Sequence, residues 1–258
     1  MRDHGIIVTA ADRRYYPALA NLIGSIHYWA PECNIHVYDL GLTHEQKVAV
    51  QCWQRVSVSS YRPDGSLPHL LDVTKFAWKP LVIKDALEHN QVALWLDAGN
   101  EVRAPLNPFW DLLSAHGYVL LQGQDNDMTR FAHNQCFVRQ KLDKNVYVGK
   151  PSFCAGVQGY VRGSPAYDQI LIPLTQRVLD PECVAPSGAT LANHRYDQTC
   201  LSILAHDSPL CIRCHNKLIS AAADQFSCDP RHRSGPIIYT VRGGSRAFID
   251  FLKWRFGR

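Results

Sequence analysis

The stretch Val92-Ala-Leu-Trp-Leu-Asp97 constrains the fold more than any other part of the chain. Five apolar residues in a row match a strand buried on both faces, the kind found inside a parallel sheet. The run stops at Asp97, and the small or turn-forming residues Ala98, Gly99 and Asn100 follow. Open α/β sheets bind ligands beyond the carboxyl ends of their strands, so Asp97 stands where a ligand is expected. Aspartate is also common after strands for turn reasons alone, so a capping role is the plainer alternative.

The flanking segments fit such a sheet. Gly5-Ile-Ile-Val-Thr-Ala10, Ile35-His-Val-Tyr-Asp39 and Val56-Ser-Val-Ser59 read as strands. Residues 15–29 place Leu19, Leu22, Ile23 and Ile26 on one helical face. Thr43-His-Glu-Gln46 is a capping-box pattern that opens a second helix. Residues 62–69 carry Pro, Gly and Ser and read as a loop, and Pro80 suits the first turn of a helix running to about His89. Strand and helix alternate with short links, which predicts that the first half of the chain forms a parallel sheet covered on both faces. Further on, residues 108–116, 167–179 and 195–205 read as helices, and residues 118–121 and 153–160 as strands. Residues 122–150 are polar and irregular, which predicts a mobile loop over the site. The whole is expected to be a single α/β domain over residues 1–258, its later part decorating the same sheet.

Composition narrows the function. With 258 residues, 46% hydrophobic and 19% charged, the chain buries a real core. A net charge of +4 suits a phosphate-bearing ligand or an anionic surface but does not argue for nucleic acid. No apolar run reaches 18 residues, so no membrane-spanning helix is expected. The opening residues Met1-Arg-Asp-His-Gly5 lack the apolar stretch of a signal peptide. Nine cysteines without a repeating frame, and no Asn-x-Ser/Thr site, point to reduced thiols in a cytoplasmic protein.

Several segments together resemble nucleotide-sugar glycosyltransferases of the GT-A fold, above all the glycogenin and lipopolysaccharide galactosyltransferase group (family 8). They also resemble a related group with a Trp-Lys-Pro element. Ile7-Val-Thr-Ala10-Ala-Asp12, with Tyr16 and Ser25, is similar to that group's first strand and helix. Phe76-Ala-Trp-Lys79-Pro, then Val92 to Asp97, then Pro105-Leu-Asn-Pro-Phe-Trp110 are similar to its central block. Phe153-Cys-Ala-Gly156-Val resembles a Phe-Asn-x-Gly-Val strand, and His194-Arg-Tyr-Asp197-Gln198 an Asp-Gln helix start. These pieces keep the family order over residues 6–205.

The resemblance implies transfer of a sugar from a nucleotide-diphosphate donor to a hydroxyl of a glycan or lipid-linked glycan, as in polysaccharide biosynthesis, with retention of configuration. It implies a nucleotide-binding half up to residue 121 and an acceptor side from residue 122. Ala10, Asp12 and Tyr16 would meet the nucleotide, and Lys79 would face the donor. Asp97 would lie near sugar and diphosphate, and Asp197 and Gln198 at the reacting face. Either stereochemistry stays open, since Asp197 could also serve as the base of an inverting reaction.

Two departures bear on metal use. The family's Asp-x-Asp holds a divalent ion through hard oxygen ligands, whereas here the second carboxylate position is Gly99. The family's later metal-binding His falls near Tyr239 or Thr240, just before Arg242 and Arg246. Guanidiniums grip phosphate bidentately, so the expectation is a metal-independent transferase with no cofactor, using Arg242 and Arg246 in place of an ion. Manganese held by Asp97 is the alternative.

Other features have plainer readings. Cys211-Ile-Arg-Cys214-His215 matches a haem-attachment pattern, but Met128 is the sole methionine after Met1. Cys211, Cys214, His215 and Cys228 could form a zinc knuckle of unusual spacing, or simply be packed thiols. Arg231-His-Arg233 reads as a solvated loop or a phosphate contact. The tail carries Phe248, Ile249, Phe251, Leu252 and Phe256 with Arg246, Lys253, Arg255 and Arg258. It either packs on the domain or rests peripherally on an anionic inner membrane face. A catalytically silent protein that binds a glycan or a partner is the second functional reading, favoured by the interrupted Asp-x-Asp.

Overall fold

The computed structural model describes residues 5–63, 65–210, 212, 218–220 and 236–240. Numbered in chain order, its elements begin with β1 (Ile6–Ala11), α1 (Tyr16–Trp29), β2 (Asn34–Asp39), α2 (His44–Gln51) and β3 (Val56–Ser60). Then come α3 (Pro68–Leu71), α4 (Lys79–His89), β4 (Val92–Leu96), β5 (Asn100–Val102), α5 (Asn107–His116) and β6 (Tyr118–Gln122). The later elements are α6 (Asn134–Arg139), β7 (Phe153–Val161), α7 (Ile172–Val178), α8 (Pro181–Val184), α9 (Asp197–Asp207), β8 (Ile219–Ser220) and β9 (Ile238–Thr240).

The central sheet runs β3-β2-β1-β4-β7-β6. The pairs β2·β3, β1·β2 and β1·β4 are parallel, as the alternating pattern predicted. The fold is therefore α/β with a mostly parallel central sheet flanked by helices. β4 sits mid-sheet and is buried on both faces. Ala93 and Trp95 enter the core shared with α4, α7 and α9, whereas Leu94 and Leu96 enter the core under α1 and α5. Side chains alternate across a strand, so a wholly apolar run is what two cores require.

Local chemistry sets the ends of the helices. Gln46 N donates to Thr43 Oγ1 at 3.2 Å and Thr43 N to Gln46 Oε1 at 3.0 Å, the reciprocal pair foreseen for α2. Pro80 and Pro108 lie in the first turns of α4 and α5, where no amide donor is needed. Gly117 ends α5 at φ 78°, its N–H on Leu113 O at 2.9 Å.

Three expectations need correction, and the sequence left one strand direction open. β7 is antiparallel to both β4 and β6, because the chain returns to the sheet after the excursion of residues 123–152 and not through a simple crossover helix. A run of apolar residues carries no sign of its direction, so the sequence could not reveal this. The excursion is also not an irregular loop. It holds α6 and two 3-10 turns and buries Met128, Cys136, Phe137 and Tyr147. The stretch 62–69 contributes Pro68 and His69 to the short α3. The helix expected over 167–179 opens as a π-turn at Tyr167–Leu171 before α7, and Pro173, which has no N–H, sits where the α ladder would be continuous.

A small second sheet, β5-β9-β8, continues the chain beyond Asp97. Glu101, fully buried on β5, accepts from Arg103 Nε at 2.6 Å and from Asn21 Nδ2 on α1 at 3.0 Å. That ties the small sheet to α1. No helix among the described residues is long and apolar enough to cross a membrane.

Candidate functional site

The site is built around a buried lysine. Lys79 opens α4 directly after Trp78 and is 3% exposed. Its Nζ lies 2.9 Å from Asp97 Oδ1, 3.3 Å from Asp97 Oδ2, 3.3 Å from Asp197 Oδ2 and 3.4 Å from Ala155 O. Phe76 and Trp95 add ring faces at 5.5 and 5.8 Å. Three segments distant in sequence thus converge: the start of α4, the end of β4 and the start of α9.

The two carboxylates differ in environment. The Asp97 side chain is 38% exposed, and that of Asp197 is 5% exposed. Asp197 Oδ2 stands at ion-pair distance from Lys79 but accepts no aligned hydrogen bond. Burial pushes the Asp197 carboxyl up to about 6 against the pull of Lys79, with Asp97 adding to the rise. Burial also works against the Lys79 charge, but Asp197 and Asp97 outweigh it and raise its pKa. A buried ammonium between two carboxylates is a geometry that leaves one net negative charge in the cleft.

Asp97 is oriented by its neighbours. Trp95 Nε1 donates to Asp97 Oδ1 at 2.8 Å, and Asp97 N donates to Gly156 O at 2.9 Å. The turn beyond it is closed by Asn100 N on Asp97 O at 2.9 Å, and Asn100 Nδ2 reaches Gly156 O at 2.8 Å. The capping alternative therefore applies to the Asp97 main chain, while its side chain serves Lys79 and Trp95. A Cβ at residue 156 would stand 3.0 Å from Asp97 Oδ2, so glycine there lets β7 pass close under the carboxylate.

Gln198 follows Asp197 in the first turn of α9 and is half-buried. Its Nε2 lies beside Gly123, where an added Cβ would meet it at 3.1 Å and Ser152 Oγ at 2.4 Å. Gln198, Ser152 and the end of β6 thus border one edge of the site. Nearby, Arg195 stacks on Phe131 at 4.1 Å and faces Asp125 at 3.8 Å.

At the carboxyl end of β1, Ala10 is 6% exposed and Asp12 8%. The Asp12 carboxylate is engaged within its own turn. It accepts from Arg14 N at 2.9 Å, Tyr15 N at 3.1 Å and Arg14 Nε at 2.8 Å. It presents Arg14 at this edge as much as it presents itself. Tyr16 stacks on Trp53 at 6.1 Å. Lys79, Asp97 and Asp197 come together in one cluster with Gln198 next in sequence, and Ala10 lies near the end of the parallel strand next to β4, with Asp12 just after it. The ammonium of Lys79 faces the two carboxylates and not solvent. Arg242 and Arg246 lie outside the described residues, as do Cys211, Cys214, His215, Cys228, Arg231, Arg233 and the tail beyond residue 240.

Sequence reading missed Trp95, Phe76 and Tyr196 as parts of this site. Trp95 reads as part of the buried strand, and Phe76 only as the first residue of the segment that holds the Trp-Lys-Pro element. Tyr196 carries a main-chain conformation, φ 47° and ψ −121°, that nothing in its side chain announces.

The donor set among the described residues fits a divalent ion poorly. Asp97 is the one partly exposed carboxylate here, and its oxygens already face an ammonium and an indole N–H. Among the described residues no three His, Cys, Asp or Glu side chains gather as a metal cluster. Hard cations ask for several oxygen ligands.

No family model matches the chain, and no curated protein matches it. Solved structures do. The WbbM bifunctional glycosyltransferase, in its apo form, has a TM-score of 0.58 at 13% identity over 95% of this chain. The chain spans 49% of that enzyme's length. The galactosyltransferase LgtC, in complex with donor and acceptor sugar analogues, has a TM-score of 0.53 at 15% identity, covering 98% of this chain and 99% of LgtC. Mouse xyloside xylosyltransferase 1, apo form, has a TM-score of 0.56 at 12% identity, covering 92% and 97%. An active-site mutant of LgtC, glutamine replaced by glutamate, has a TM-score of 0.53 at 14% identity, covering 96% and 95%. At such identities the likeness establishes a shared fold, the fold these glycosyltransferases use.

Proposed function

We propose that this chain is a glycosyltransferase moving a sugar from a nucleotide-diphosphate donor to a hydroxyl of a glycan or lipid-linked glycan, with retention and without a metal ion. One observation carries the reading: Asp97, Lys79 and Asp197 converge at the carboxyl end of a buried parallel strand, in the fold of known glycosyltransferases. Fold alone does not assign function, so the weight rests on this cluster and its neighbours.

In this reading the nucleotide lies along the ends of β1 and β2, near Ala10, Asp12 and Tyr16. Asp97, the exposed carboxylate, accepts from the hydroxyls of the donor sugar. Lys79 works from beneath. It offsets one of the two carboxylate charges, which lessens the repulsion an anionic diphosphate would meet in the cleft, and holds Asp97 at one angle. Gln198 offers its amide at the reacting face, which accords with an active-site glutamine in LgtC. Asp197, ionised above pH 6 or so, supplies negative charge near the anomeric carbon as positive charge develops there. Arg242 and Arg246 are assigned to the departing diphosphate, in place of a cation.

The test is a thermal-shift panel of nucleotides and nucleotide sugars, each with manganese and with chelator. A ligand that binds only the folded state raises the midpoint by mass action. A shift with one donor that survives chelation is expected. A shift that needs manganese would overturn the metal-free part of the reading. Gly99 in place of a second carboxylate favours one competing reading, a catalytically silent glycan-binding protein. Binding of glycans with no response to any donor would select it.

A further inference from the structure

Among the described residues, four that are not glycine have positive φ: Arg55, Phe76, Lys141 and Tyr196. Arg55 and Lys141 are exposed. The other two are aromatic, and both adjoin the Lys79 and Asp197 pair. Phe76 stands at φ 55°, ψ 7°, and its carbonyl accepts from Lys79 N at 3.1 Å. Tyr196 stands at φ 47°, ψ −121° as the residue capping α9, and its carbonyl accepts from Thr199 N at 3.0 Å. The first conformation is uncommon for a bulky residue, and the second belongs almost wholly to glycine.

The two strained residues hold each other. Their ring centroids are 5.9 Å apart at 52°. Tyr196 is 4% exposed, donates its hydroxyl to Ala189 O at 3.3 Å and lies under Lys75 Nζ at 5.4 Å. On the other side, the Phe76 ring faces Lys79 Nζ at 5.5 Å. Strain of this kind persists only where the surroundings over-determine it, and it gathers at functional sites.

We propose that Phe76 and Tyr196 are positioning residues: a ring-on-ring clasp between two strained turns that fixes the Lys79 ammonium against the Asp197 carboxylate and keeps water from both. Their role in transfer rests on the function proposed above; the clasp itself does not. Glycine would take either backbone conformation without strain. The rings are therefore what the site needs at these positions. Without them α9 could begin in an ordinary cap, and Asp197 would swing with the first turn.

The test reads Asp197 directly in the full chain. Its side-chain carboxyl is titrated by carbon NMR and assigned by its loss in Asp197→Asn. Phe76→Gly and Tyr196→Gly each permit the native φ and delete one ring. Burial is the largest influence on Asp197 and outweighs the opposing pull of Lys79, so water admitted by the lost ring should outweigh a loosened Lys79 pairing. In each variant the Asp197 midpoint should therefore fall from about 6 by one unit or more toward the ordinary value. The charged groups facing Asp197, Lys79 on α4 and Asp97 after β4, are unchanged in both variants. Tyr196→Phe keeps the ring and should keep the midpoint. If Tyr196→Gly does not fold, Phe76→Asn, tolerated at positive φ, carries the same readout. An Asp197 midpoint as in the wild type in the folded ring-deleted variants would overturn the proposal. The titration needs no substrate, so it stands even if no donor is ever turned over. With a donor in hand, the same variants should lose about 10²-fold in kcat while KM for the donor changes less than twofold.

Discussion

Among single residues, Lys79 joins the two carboxylates of the site through its buried charge. Removing one partner of a buried ion pair leaves the other charge uncompensated, at a cost of about 3–5 kcal/mol. Lys79→Met should therefore destabilise the fold strongly at pH 8, measured by denaturant unfolding. The loss should shrink at pH 5, where Asp197 can protonate, and Asp197→Asn in the same chain should recover much of it. A loss equal at both pH values would contradict the assigned pairing. The sign of the wild-type dependence follows from the same group. Asp197 has its folded pKa raised from 3.8 to about 6, so its contribution to stability is full below about 4 and is lost as pH rises through about 6. The stability of wild type relative to Asp197→Asn should fall across that window and then stay level. If Asp197 acts as a carboxylate, transfer should rise through the same window. Of these residues the sequence disclosed Lys79, Asp97, Asp197 and Gln198 through their order along the chain. It could not disclose that Asp12 spends its carboxylate on Arg14 and its own turn, because aspartate after a strand serves a ligand and a cap equally well.

At the scale of elements, β7 decides how the site closes. It runs antiparallel beneath Asp97, and Gly156 gives the clearance. Gly156→Ala places a methyl 3.0 Å from Asp97 Oδ2, so the carboxylate must move by a few tenths of an ångström. Folding should survive with a midpoint lowered by a few degrees, while transfer falls about tenfold or more, as misplaced catalytic groups do. Unchanged transfer would show that Asp97 is not held from this side. β1 to β4 and their helices were legible in advance because periodicity and caps repeat the same message: Thr43 with Gln46, Pro80 and the apolar run of β4. The direction of β7, the helix inside residues 122–150 and the late start of α9 were not. Each depends on contacts distant in sequence: β4 with β7, Met128 and Tyr147 in the core, and Phe76 against Tyr196.

At the scale of the whole molecule, the sheet order puts β1 and β4 side by side at its centre, with their carboxyl ends forming one edge. Parallel strands leave their ligands at that edge. The fold is shared with glycosyltransferases of little sequence similarity, which fits a scaffold retained while loops and charges vary. In the proposed reading, one partly exposed carboxylate over a buried lysine supplies fixed protein charge where other chemistry would recruit an ion. The measurement that bears most directly on this is release of nucleoside diphosphate from a panel of nucleotide sugars, run in chelator, by wild type and by folded Asp197→Asn. One donor should be consumed in chelator by the wild type and at least 10²-fold more slowly by the variant. Consumption only after manganese is added, or equal consumption by both proteins, would contradict it.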